Sequence, residues 1–278
     1  MRKVILMKIQ FLGTAAAEGM PAIFCNCAVC QEARKLGGKN IRTRSQALVD
    51  DQLLIDLPAD TYMHFLMNGI EGDRIRNLLI THSHEDHLYP DELDLRRPPF
   101  GHDQRVPKLK VYCGEGAYAK IERFNREDRN VAVEKVTHFS SVSFDGYTVT
   151  ALPARHAPGD GAQFYVIEGE KTILYAHDTG YFYEEVFDFI QQKGFRFDLV
   201  SMDCTNVDIP IDDEGTHMGI DNIQRVLKRL EDMGAVNNAT VKVINHFSHN
   251  GNPLQHVLEA RVADLGYVVS YDGMTLEI

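Results

Sequence analysis

Within "LLITHSHEDHLYP" at residues 78–90, four metal-binding side chains fall inside six positions: His82, His84, Asp86 and His87. They follow an apolar run, "NLLIT", that reads as a strand. Alternation in an extended segment places His82 and His84 on one side, and a turn or helix start at Glu85 to His87 would swing Asp86 and His87 round a second centre. A single histidine is more often a satisfied core residue, whereas four such groups at a strand end fit two adjacent metal ions. Two ions about 3.5–4 Å apart can share a water, bring its pKa towards neutrality and stabilise charge on the attacking and leaving oxygens. That is hydrolase chemistry.

A second group is "CNCAVC" at 25–30, which packs Cys25, Cys27 and Cys30, three of the five cysteines, behind the Gly- and Ala-rich run "GTAAAEGMPAIF". In a cytoplasmic protein clustered thiols are metal ligands more often than disulfides. An iron-sulfur cluster, a redox pair and plain burial are the other readings. A four-cysteine cluster would need Cys113 or Cys204, and both sit in strand-like apolar contexts, "KVYCGE" and "VSMDCTN".

The 278-residue chain is 44% hydrophobic and 25% charged, as soluble globular proteins are. A net charge of -11 argues against broad binding to long nucleic acid, which needs a basic surface to displace counterions. The opening "MRKVILMKIQFLGTA" is interrupted by Lys8 and Gln10 before a signal-peptide core is long enough, so it reads as a first strand. No run approaches the ~20 apolar residues of a membrane span. The expected setting is therefore the cytoplasm, without a membrane partner; a homodimer is left open.

The elements that must position these ligands alternate along the chain. Apolar alternation and β-branched residues predict strands at 4–12, 46–50, 52–56, 77–81, 108–112, 147–152, 163–168, 171–176, 197–202, 241–245, 267–271 and 274–278. "DGY" at 145–147 and "EGEK" at 168–171 read as hairpin turns. Residues 220–230 place Ile223, Val226, Leu227 and Leu230 on one helical face before a stop at Gly234. Asp60 is the expected cap of a helix ending at Gly69, and 115–124, 183–193 and 254–264 are further helices. In 88–107, four prolines and mixed charge predict an irregular loop, either surface padding or a lid. No linker divides the chain, which predicts one mixed α/β domain over 1–278.

"THSHEDH" is the HxHxDH motif of the metallo-β-lactamase superfamily, and the chain resembles that superfamily further along. The family adds a histidine, an aspartate and a last histidine, each after a later strand. "VTALPARHAPG" offers His156, "KTILYAHDTGY" offers Asp178 and "VKVINHFSHNG" offers His246, in that order. The resemblance implies a four-layered αββα sandwich, two mixed sheets flanked by helices. It assigns His82, His84 and His156 to one metal, Asp86, His87 and His246 to the other, and Asp178 between them. His177 is a competing ligand, but neighbours on a strand face opposite ways and "DTG" matches the family. Asp56 in "LLIDLPAD" matches an aspartate that orients a ligand. The metals such donors accept are zinc, manganese or iron.

"GTAAAEGMPAIFCNCAVCQEARK" resembles the start of the PhnP-type phosphodiesterases, which hydrolyse cyclic ribosyl phosphates. There a CxCxxC loop and a late histidine hold a structural zinc, and the matching histidine is His249, which would complete a closed Cys3His cage with Cys25, Cys27 and Cys30. "EGTHMGIDNIQRVL" resembles the family segment in which a histidine contacts phosphate, making His217 the implied general acid. "LDLRRPPF" resembles a loop carrying an arginine, so Arg96 or Arg97 is a candidate to hold phosphate bidentately. Residues 115–146 and 207–216 do not match the family. The implied activity is a metal-dependent phosphodiesterase for a small cyclic phosphate such as 5-phosphoribosyl 1,2-cyclic phosphate, with a hydroxide bridging the metals as nucleophile and Asp86, Asp178 and His217 as catalytic groups. A lactonase, thioesterase or nuclease of the same superfamily is the alternative, and a non-hydrolytic metal protein the remaining class.

Overall fold

The computed structural model describes residues 6–278. Its strands are β1 (Lys8–Gly13), β2 (Gln46–Val49), β3 (Leu53–Ile55), β4 (Asn77–Ile80), β5 (Leu109–Cys113), β6 (Val131–Lys135), β7 (Ser141–Phe144), β8 (Tyr147–Pro153), β9 (Gln163–Glu168), β10 (Thr172–Ala176), β11 (Leu199–Asp203), β12 (Val241–Asn245), β13 (Val268–Val269) and β14 (Met274–Glu277). The α-helices are α1 (Ala28–Leu36), α2 (Thr61–Asn68), α3 (Glu115–Ile121), α4 (Glu184–Lys193), α5 (Ile220–Asp232) and α6 (Gln255–Arg261). One seven-stranded sheet runs β14-β1-β2-β3-β4-β5-β6 and the other β13-β12-β11-β10-β9-β8-β7. Each is mixed. Strands β3 to β6 pair in parallel, as do β10 to β13, and the remaining pairs are antiparallel.

Consecutive apolar positions in these strands follow from cover on both faces. In β10, Ile173 and Tyr175 join the core between the sheets, together with Ile9, Val49 and Leu79 of the other sheet. Leu174 and Ala176 face the opposite way, into a core with Val186, Phe187 and Ile190 of α4 and Ile223, Val226 and Leu230 of α5. The first sheet has its own outer layer, where Leu48, Leu78 and Val111 meet Ala117 and Ile121 of α3. The result is the αββα sandwich. Each aliphatic side chain that α5 buries contributes about 1.5–3 kcal/mol relative to exposure, so its apolar face, not its composition, holds it down.

Several expectations need correction. Asp60 does not cap α2 through its side chain: it accepts from the Arg44 backbone N–H (3.0 Å) and pairs with the Arg44 guanidinium, 3.1 Å away. Residues 88–107 contain a 3-10 helix over Pro90–Arg96, because a proline at the first helical position needs no N–H partner there. Helix α1 and strands β6 and β7 were not expected. The strand expected at 4–12 begins at Lys8, and its residues 4 and 5 lie outside the described residues. Asp145 and Gly146, both at positive φ, make the two-residue turn of the β7–β8 hairpin. Among the described residues, no helix is long and apolar enough to cross a membrane.

Candidate metal centre

The site residues follow the C-terminal ends of strands that point the same way. Asp56 follows β3, His82 to His87 follow β4, His156 follows β8, Asp178 follows β10, Asp203 ends β11 and His246 follows β12. Three of them, Asp56 (φ 66°), Asp178 (φ 48°) and His246 (φ 62°), hold a left-handed backbone that side chains other than glycine seldom adopt. Such a conformation costs on the order of 1–3 kcal/mol per residue and persists only where the surroundings enforce it. At a strand end it turns a side chain out of the sheet's alternation and into the space between the sheets.

His82, His84 and His156 form one group and Asp86, His87, Asp178 and His246 a second, and within each group the ligand atoms lie within 4.8 Å of one another. His156 Nε2 is 3.2 Å from His84 Nδ1. Asp178 faces both groups, with Oδ1 3.8 Å from His156 Nε2 and Oδ2 3.0 Å from His246 Nε2. The expected ligands are thus brought together. His177 turns away, buried between Ser45 and Ser201, whose hydroxyl is 2.7 Å from its Nε2.

The arrangement fits divalent ions. His82 Nε2, His87 Nε2, Asp178 Oδ2 and His246 Nε2 are buried and have no partner with hydrogen-bond geometry, a cost that a native site accepts for an ion. Their far sides are already fixed: His87 Nδ1 lies 2.7 Å from Asp56 Oδ2, His246 Nδ1 2.8 Å from Thr205 Oγ1 and His82 Nδ1 3.1 Å from Thr81 Oγ1. Such partners set ring orientation and leave the other nitrogen for the ion. Asp56 is therefore placed as an orienting group. The electrostatics ask for positive charge. Burial opposes a proton on His87, but Asp178, Asp56 and Asp86 outweigh it and push its pKa well above the usual histidine range. Burial raises Asp178, yet His246 and His87 hold it well below the carboxylate range. Cations compete for the same donors.

His217 sits at the edge of this cluster, its side chain 25% exposed and its Nδ1 3.1 Å from Asp203 Oδ2 and 3.4 Å from Asp178 Oδ1. Burial lowers its pKa, but Asp203 and Asp178 carry it up to about 9. Asp203 is a site residue that sequence reasoning missed. It ends the apolar strand "LVSMD", the same pattern that marks Asp56 and Asp178, and that pattern could have found it.

At the other end of the 246–249 segment, Cys25, Cys27, Cys30 and His249 come together with their ligand atoms within 4.8 Å of one another. His249 Nδ1 is 3.6 Å from Cys27 Sγ and 3.9 Å from Cys25 Sγ. Cys27 is also the N-cap of α1, its sulfur accepting from the Cys30 N–H, and that bond, with the His249 contact second to it, brings its thiol down to about 6. Burial pushes Cys30 up to about 11. Three sulfurs and one imidazole are the donor set of a closed zinc site.

Arg96 and Arg97 are not placed at the cluster, which corrects that expectation. The Arg96 guanidinium donates to the carbonyls of Asn130 and Val106, and Arg97 is bound to the Asp94 carboxylate three residues earlier. Both are committed to holding their own loop.

Residues 56–247 match the family model for the beta-lactamase superfamily domain, well over half of the chain, and the protein belongs to that family. In structure it is similar to a diphosphatase from the PhnP family, at 22% identity and TM-score 0.75, over 99% of this chain and 98% of that one. It is similar also to Zn2+-bound PqqB from Methylobacterium extorquens (19%, TM-score 0.74, 98% and 100%) and to human tRNase Z, short form (16%, TM-score 0.63, 97% and 98%). At these identities the likeness is one of fold. No curated protein matches the chain in sequence. Fold and His/Asp cluster together are compatible with a dinuclear metal-dependent hydrolase.

Proposed function

We propose that this chain is a single-domain, metal-dependent phosphodiesterase of the PhnP-like branch, acting in the cytoplasm on a small phosphate ester such as 5-phosphoribosyl 1,2-cyclic phosphate. His82, His84 and His156 would hold one divalent ion, Asp86, His87 and His246 the other, and Asp178 would face both. Ions bound there would supply an acidified water and stabilise charge on phosphoryl oxygens. Zinc, manganese and iron all suit these donors. The chain's own residues do the rest. Asp203 holds His217 protonated at neutral pH, and the His217 imidazolium binds a phosphate oxygen and gives its proton to the departing alkoxide. The sulfur-rich cage would hold a structural zinc.

The observation that carries this reading is the His217 imidazole, whose Nδ1 lies 3.1 Å from the buried Asp203 carboxylate and 3.4 Å from Asp178, the residue that faces both ligand groups. A phosphodiester is anionic before it reacts and so engages the His217 cation in binding as well as at the leaving oxygen, whereas a neutral lactone or thioester engages it only as charge develops. Hydrolysis of a phosphoanhydride is the second reading, supported by the likeness to a diphosphatase. The test sets an aryl phosphodiester, 5-phosphoribosyl 1,2-cyclic phosphate, inorganic pyrophosphate, a lactone and a single-stranded oligonucleotide before one metal-loaded preparation. Turnover of the small diesters that is lost in His82→Ala supports the proposal. Turnover of the lactone alone, or equal diester turnover by that variant, overturns it.

A further inference from the structure

Of the five ligand histidines, His82, His87 and His246 have a side chain behind the ring and His156 has the Thr216 carbonyl, but His84 has neither. Its ring is exposed, and the side chains it meets are fellow members of its own group, His156 at 3.2 Å and the His82 ring with centroids 4.5 Å apart. What fixes His84 must therefore act on its backbone. The peptide unit on either side of Ser83, which separates His82 from His84, is gripped at both polar atoms. The Ser83 N–H donates to Asp160 Oδ2 (2.9 Å), and the Ser83 carbonyl accepts from Lys120 Nζ (2.5 Å). Ser83 itself is buried.

The two gripping residues are tied to each other. Lys120 lies on α3, and the Gly116 N–H near the start of that helix donates to the Asp160 carbonyl at 2.7 Å. That approach requires glycine: a Cβ at Gly116 would meet Asp160 Oδ1 at 1.9 Å, and one at Gly114 would meet the Gly161 carbonyl oxygen at 2.4 Å. Asp160 also belongs to the loop that carries His156, closing it through a bond from its own N–H to the Ala157 carbonyl (3.0 Å). One carboxylate thus spans the two segments that supply the three histidines, and α3 locks it from outside.

We propose that Asp160, seconded by Lys120, is a positioning residue that sets the spacing of His84 from His156 and so the affinity of the three-histidine group for a divalent ion. This rests on the reading of His82, His84 and His156 as metal ligands. Neither gripping side chain touches an ion or substrate. Their effect passes through the Ser83 peptide, as orienting groups behind metal ligands commonly act.

The test titrates the metal-free chain with Co2+ and follows two signals, the ligand-field bands of cobalt on nitrogen and oxygen donors and the thiolate charge-transfer band of the cysteine cage. Asp160→Ala is expected to weaken one nitrogen-rich site about 10- to 100-fold, with the cage band and the other site unchanged. Asp160→Asn, which keeps an acceptor for the Ser83 N–H, is expected to stay within about threefold of the parent by the same reasoning. His84→Ala identifies the site in question. If His84→Ala loses no cobalt, the ligand reading itself fails; if it loses one ion while Asp160→Ala binds as the parent does, the positioning role is overturned. Should Asp160→Ala lose the cage band as well, Lys120→Met decides: selective weakening of the three-histidine site supports the role, and unchanged binding removes it.

Discussion

Asp203 Oδ2 stands 3.1 Å from His217 Nδ1, while its Oδ1 accepts from the backbone N–H groups of Thr205 (3.0 Å) and Met218 (3.1 Å). The carboxylate is wholly buried. Burial alone would raise its pKa, but His217 and then His246 outweigh that and keep it below the usual carboxylate value. Two strand-end and helix-entry segments are pinned by one group, and the imidazole it holds is charged at neutral pH.

A general acid matters most when the leaving group is poor, because a good one departs without a proton. His217→Ala is expected to slow turnover of a phenyl phosphodiester about 10²- to 10⁴-fold, and of a nitrophenyl ester by much less. Metal content should stay at the parent level. Asp203→Asn removes the charge that does most to raise His217, so the alkaline limb of the rate profile, set by loss of the His217 proton, should move towards neutrality. Equal losses for both esters would reduce His217 to a binding group.

The residues of the His/Asp cluster were legible in sequence because each is a ligand-type side chain at the end of an apolar run, and the fold followed from the order of those runs. Groups that act on ligands through space were not legible. Asp160 lies in a glycine-bounded loop whose partner, Ser83, is 77 residues away, and no local pattern records that meeting. Arg96 and Arg97 misled because residue type does not say where a guanidinium goes; the Asp94 at three residues' distance was the visible sign that Arg97 was taken. Helix α1 was hidden because its N-cap is a cysteine, not one of the usual capping side chains.

That cysteine gives a clean test of the cage. Cys27→Ser keeps a competent N-cap for α1, since serine is among the best residues there. A loss of stability then reports the missing metal ligand rather than the missing cap. The variant is expected to retain about one zinc fewer per chain, read by metal analysis after gel filtration, and to unfold at a lower temperature. The metals of the histidine cluster should be held as in the parent. Zinc content equal to the parent's would remove the cage from the structure's energetics.

Acid sensitivity should centre on His64 of α2. Its ring is 3% exposed, with Nδ1 2.6 Å from Gln46 Oε1 and Nε2 2.6 Å from Thr43 Oγ1, and no carboxylate touches it. Burial brings its pKa down from 6.5 to about 4, against a smaller opposing pull from Asp60. The unfolded chain therefore binds more protons than the folded one between these values, so this group's contribution is complete above pH 6.5 and is lost as pH falls towards 4. Neighbouring Asp272 works in the other sense: burial raises it to about 6, so its contribution is full below pH 3.8 and declines as pH rises through 6. Because Asp272 is common to both proteins, comparing the parent with His64→Gln isolates the histidine. Urea unfolding should show the parent losing about 2–3 kcal/mol more than the variant between pH 7 and pH 4.5. Parallel losses would mean that His64 titrates in the fold as it does in the open chain, and that the Gln46 and Thr43 contacts do not hold it neutral.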